Sequence, residues 1–166
     1  MYNTKQNVIL QPVSSFLPLQ GLDGSVYLKD AKGEFSGIDN DFMKFRSNNK
    51  KTDAIECRVW ELTKTSKFIG MFQSFNLDLS ELLFTEHQIV EFSTHYSEYF
   101  GKSGYMTFFL IESADKKLKG TMDAFSVSGF GFASGRSIPH AQLYPFKRSS
   151  VDWVPYHKTQ IVVPAF

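Results

Sequence analysis

His87, Glu91 and His95 recur at four-residue intervals, with Glu98 three residues further on. On a helix they fall along one strip, and imidazoles and carboxylates one turn apart can hold a divalent metal, as in helical HExxH sites. The spacing here is H-x3-E-x3-H, which is not that motif. At about 1.5 Å rise per residue the two imidazoles stand about 12 Å apart, too far for one ion to bridge easily. The strip therefore reads as an acidic, solvated contact face, with no metal site and no cofactor.

A second chemistry is carried by Gly129-Phe-Gly-Phe-Ala-Ser-Gly-Arg136. Glycines after a strand let the backbone approach a phosphate, and an arginine supplies charge. Gly129, Gly131 and Arg136 are thus a phosphate-binding alternative. The spacing departs from G-x-G-x-x-G, and Ser137-Ile-Pro-His140 cannot open a strong helix to receive the phosphate. The competing reading is a glycine-accommodated bend in an aromatic strand. Ser134 or Ser137 with His140 would make a nucleophile and a base, but no G-x-S-x-G elbow and no orienting acid accompanies them. Cys57 lies on the inward parity of its strand and reads as an inert core thiol. No catalytic residue is assigned, and an enzyme with a site near residues 129–140 stands as an alternative.

A third group lies towards the C-terminus. Tyr144, Lys147, Arg148, Trp153, Tyr156 and His157 interleave basic and aromatic side chains, with Phe146 and Lys158 among them. Such interleaving suits a protein-interface hot spot, where Trp, Tyr and Arg are enriched. It also suits stacking and phosphate contacts on single-stranded nucleic acid. Aromatics folded back onto the core are the plain alternative. The formal net charge is +1, and nucleic-acid affinity rests on phosphate neutralisation, so a protein partner is favoured.

The elements that would position these groups follow from patterning. Thr85 and Gln88 form an S/T-x-x-Q capping box. Ile89, Phe92, Tyr96 and Tyr99 then make one apolar stripe, predicting an amphipathic helix over Thr85–Phe100 that stops at Gly101 and Gly104. Tyr105–Ile111 is apolar at both parities, which predicts a central strand covered on both faces. Ile55–Leu62 alternates and predicts a half-buried strand, paired as a hairpin with a second strand at Phe68–Phe72. Thr121–Ser134 reads as a strand whose alternation slips at Gly129, predicting a bulge or sharp bend. Short strands are expected at Asn7–Val13, Ser25–Lys29, Ala141–Phe146 and Thr159–Val163, with Arg136–His140 as loop. A short helix is expected at Asp39–Arg46, and a mobile loop at Ser47–Asp53. Pro12 places the first strand at a sheet edge.

The chain has 166 residues, 42% of them hydrophobic and 16% aromatic, with 17 Phe. Phe has no polar handle, so many of these rings must bury one another in a packed fold. One cysteine excludes an intramolecular disulfide framework. Between Phe68 and Gly101 there are five acids and no Lys or Arg, whereas Lys44, Arg46, Lys50 and Lys51 cluster. This segregation reads as two solvated faces. Met1–Asn7 is polar and the run after it is broken by Pro12, so no secretory signal is read, and no apolar stretch approaches the ~20 residues needed to span a bilayer. A cytoplasmic setting, with no membrane association, is expected.

The second half resembles a family of short, uncharacterised bacterial proteins. The resemblance rests on Gln88-Ile-Val-Glu-Phe92, Gly104-Tyr-Met-Thr-Phe-Phe-Leu110 and the closing Val162-Val-Pro164. It carries no activity. The expected fold is a single α+β domain over residues 1–166, with a bent antiparallel β-sheet, one main amphipathic helix packed on it and a short second helix. The expected core is Ile89, Phe92, Tyr96, Phe108, Leu110, Phe125, Val127, Ile161 and Val163. The expected function is a protein-interaction or accessory/inhibitor module without catalysis, with an unidentified protein partner. The alternatives are the enzyme above and a nucleic-acid binder using Lys44–Lys51 or the basic-aromatic C-terminal segment.

Overall fold

Both residue parities of two strands are apolar, and the sheet is built around that fact. The structure, a computed structural model, describes residues 9–31, 35, 37–38, 49–100, 106–112, 122–130, 138–145 and 158–165. The strands are β1 (Leu10–Pro12), β2 (Leu17–Leu19), β3 (Gly37–Ile38), β4 (Ile55–Leu62), β5 (Leu83–Phe84), β6 (Met106–Glu112), β7 (Met122–Phe130), β8 (Ile138–Pro145) and β9 (Thr159–Pro164). They form one sheet in the order β1-β4-β9-β6-β7-β8-β3, with β2 also beside β4 and β5 beside β6. The fold is α+β with a bent sheet.

The pairing is mixed where a wholly antiparallel sheet was expected. β6 runs parallel to β9 and to β5, and β3 runs parallel to β8. The β6–β9 pairing follows from the place of the last strand. β9 inserts between β4 and β6, pairing antiparallel with the first and parallel with the second. Parallel strands in such a position are covered on both faces, and β9 meets that demand: Ile161, Val162 and Val163 are all buried.

Two cores result, one on each face of the sheet. Cys57, Val59, Phe109, Ile111 and Val162 point into the first. Leu62, Phe108, Leu110, Ile161 and Val163 point into the second. Helix α2 (Glu86–His95) closes the first core with Ile89, Val90 and Phe92. Helix α1 (Phe68–Gln73) closes the second with Met71 and Phe72, followed by Leu82. Of the expected core, Ile89, Phe92, Phe108, Leu110, Ile161 and Val163 are buried, and Tyr96 is half-buried.

The capping box of α2 forms as expected. Gln88 N–H donates to Thr85 Oγ1 at 3.2 Å, and Thr85 N–H donates to Gln88 Oε1 at 2.9 Å. The helix ends at His95, and Ser97–Phe100 is a separate 3₁₀ turn. Its last turn explains the early stop. The Ser93 and Thr94 hydroxyls donate back to the Ile89 and Val90 carbonyls at 2.7 and 2.9 Å, a local competition that weakens or bends helices.

Several expectations are corrected. Phe68–Gln73 is helical, not the second strand of a hairpin. Met71 and Phe72 are neighbours and both are fully buried; a strand would send them to opposite faces, whereas a helix turns both into one core. Ser25–Lys29 is not a strand, since Leu28–Asp30 forms a 3₁₀ turn. The β7–β8 ladder runs unbroken from Asp123↔Pro145 to Phe130↔Ile138, so no slip interrupts it at Gly129. The slip assumed a single covered face, and this sheet has a core on each. The same ladder takes Ile138–His140 out of the expected loop and sets Pro139 opposite Gly129. The expected helix at Asp39–Arg46 lies outside the described residues.

Candidate functional site

The first turn of α2 gathers buried polar groups. Glu86, only 3% exposed, accepts the Leu28 N–H through Oε2 at 2.8 Å. Asn49 Oδ1 accepts the His87 N–H at 3.2 Å, and its Nδ2 donates to the Val26 carbonyl. His87 Nδ1 lies 3.4 Å from Asp23 Oδ1, with its side chain 13% exposed, and among the described residues this nitrogen has no hydrogen-bond partner. The Ser25 hydroxyl and amide, donating to Asp23 at 2.7 and 2.9 Å, hold the Asp23 carboxyl below its ordinary value, with a smaller contribution from His87.

These contacts pin residues 22–28 and 49–52 to the helix. Leu22 and Thr52 exchange backbone hydrogen bonds at 3.0 and 2.8 Å. Gly24 has φ +78, and a Cβ there would stand 2.6 Å from the Lys50 carbonyl carbon, so only glycine lets the two segments meet. The part of the expected mobile loop that is described, Asn49–Asp53, is therefore tied down. The His87–Glu98 strip is likewise not one solvated face. His87 is drawn against Asp23, whereas His95 is exposed and lies 3.5 Å from Glu91. Among the described residues no three His, Cys, Asp or Glu side chains converge as metal ligands.

The pinned segment walls an open cleft of about 420 Å³ between β4, β5 and the start of α2. Ile55, Leu83, Phe84 and Pro164 give it an apolar floor. Lys50 and Lys51 line it together with Asp53, Glu81 and Glu112. Thr52 also lines it, and among the described residues its buried hydroxyl oxygen has no hydrogen-bond partner.

A second surface lies along the β1–β2 edge. The Arg58 guanidinium stands 5.1 Å from the Phe16 ring centroid and 5.5 Å from that of Trp60. Its Nε donates to the Ser14 carbonyl at 3.0 Å, which fixes the fork between the rings. Phe16 is 52% exposed and Val13 39% exposed. Trp60 in turn meets Phe75 edge-on at 5.2 Å. Sequence reading placed Arg58 and Trp60 on one strand face but did not single them out. Their alternation was a usable signal, whereas the closeness of Phe16 depends on β2 folding back along β4.

The sequence-derived site residues are placed as follows. Tyr144 is in β8, opposite Ala124. Gly129 is in β7 and His140 is in β8, one ladder position apart. Lys147, Arg148, Trp153, Tyr156, His157, Gly131, Arg136, Ser134 and Ser137 lie outside the described residues. Cys57 is fully buried and donates to the Leu17 carbonyl at 3.3 Å, and burial pushes its thiol up to about 12. Among the described residues no helix is long and apolar enough to cross a membrane.

Comparison with known proteins finds no matching family model, no matching curated relative and no matching solved structure.

Proposed function

We propose that the chain is a small cytoplasmic protein-interaction module without catalysis, and that it engages its partner through the β1–β2 edge. The observation that supports this reading is the Arg58 guanidinium held between Phe16 and Trp60, with Phe16 about half exposed. Arginine and aromatic side chains dominate the binding energy of protein interfaces. Here they are already ordered, so little side-chain entropy is lost on docking. The edge itself is guarded against strand addition: Pro12 in β1 and Pro18 in β2 have no N–H to donate. Recognition is thus by side chains.

The test is affinity capture from the host lysate, comparing the native protein with Phe16→Ala and Arg58→Glu. Both variants should lose a captured partner, and Phe16→Ala should keep its thermal melt. Equal recovery with both variants would remove this surface from consideration. The set Tyr144, Lys147, Arg148, Trp153, Tyr156 and His157 is the other candidate surface, and Trp153→Ala with Arg148→Glu is the parallel pair. An alternative role in nucleic-acid binding predicts capture that weakens steeply with added salt.

A further inference from the structure

The cleft beside α2 shares none of its lining residues with the Phe16–Arg58–Trp60 surface. Its volume, about 420 Å³, falls within the range of small-molecule sites, roughly 300–1,000 Å³. Two features constrain an occupant. The floor is apolar, with Phe84 only 4% exposed. The described lining carries both charge signs, Lys50 and Lys51 against Asp53, Glu81 and Glu112.

Singly charged ligands fit this lining poorly. A phosphate or other anion attracted by the two lysines would meet the carboxylates, and a bare cation would meet the lysines. A ligand with one charge of each sign and an apolar side chain satisfies both features. We propose that the cleft binds a small zwitterion, a free apolar α-amino acid or a short apolar peptide. Its carboxylate faces Lys50 and Lys51, its ammonium faces the acidic side, and its side chain lies on Ile55 and Phe84.

The test is titration of the full chain with L-leucine and the Leu-Leu dipeptide, followed by backbone amide NMR. Leucinamide, which keeps only the positive charge, and N-acetyl-leucine, which keeps only the negative charge, are run alongside. At least one zwitterion should bind saturably and shift amides in residues 50–55 and 83–88, with both derivatives about tenfold weaker or more. The exposed double variant Lys50→Glu/Lys51→Glu should lose a similar factor while its spectrum elsewhere stays native. Absence of saturable binding by both zwitterions overturns the proposal. So does equal binding of either derivative, or unchanged binding by the double variant. Partner capture through Phe16 is read on different residues, so either idea can fail alone.

Discussion

Cys57 and Glu86 are both buried, and they show how far a single residue can be read from its neighbours. The inward parity of Cys57 is visible in Ile55–Leu62, where apolar and polar residues alternate. Its thiol is fully buried, and burial raises its pKa from 9.0 to about 12. The native thiol should therefore resist alkylation at neutral pH until the protein unfolds. The linkage has a definite sign. The folded thiol keeps its proton after the unfolded chain has lost its own, so the contribution to stability is complete below about pH 9 and declines as pH rises towards about 12. Denaturant titrations of the native chain and Cys57→Ala should diverge over that window, by at most about 1.4 kcal/mol per pH unit. Parallel curves would contradict the burial. Glu86 is the opposite case. A carboxylate in the first turn of a helix reads as a solvated partner of the helix dipole. Its burial follows from Leu28, 58 residues earlier, whose N–H it accepts, and no local pattern announces that contact. Glu86→Ala leaves this amide buried without that acceptor and should cost about 1–3 kcal/mol in a chemical melt.

At the scale of elements, α2 was legible because its cap and its apolar stripe are both local. Thr85→Ala removes the acceptor of the Gln88 N–H and should lower stability by about 1 kcal/mol, readable in the midpoint of a urea melt. Helix α1 was not legible. Its six residues, Phe-Ile-Gly-Met-Phe-Gln, are too few to show a helical period, and their hydrophobicity equally fits a buried strand. A substitution separates the two descriptions. An alanine Cβ at position 70 would meet Ser66 Oγ at 2.6 Å, so Ser66→Ala first clears the space. In that background Gly70→Ala should raise stability by up to about 1 kcal/mol if the segment is a helix, since alanine exceeds glycine by that much in helix propensity. Loss of stability would contradict the helix. Ile138–His140 is strand where a loop is expected, and Leu28–Asp30 is a 3₁₀ turn where a strand is expected. Proline punctuation argued against a ladder that forms opposite Gly129, and a Val-Tyr-Leu run argued for a ladder that Glu86 replaces.

At the scale of the molecule, the order of strands was beyond local reading. β9 reaches its place only by pairing Gln160 with Glu61 and with Thr107, contacts set by the whole topology. That placement has a mechanical consequence. β4, β6 and β9 each send alternate residues into the two cores: Val59, Phe109 and Val162 to one face, Leu62, Phe108 and Ile161 to the other. Neither core can loosen without disturbing strands that line the second. Phe92 under α2 and Phe72 in α1 are both fully buried, and replacement of either by alanine should cost about 3–5 kcal/mol. If the faces are coupled through the shared strands, Phe92→Ala should reduce native-state hydrogen-exchange protection at the most protected α1 amides as much as at those of β6 and β9. Phe72→Ala should do the same in the other direction. Protection lost only beside the substituted ring would instead mean that each helix opens as its own unit, with the sheet as a passive wall between them.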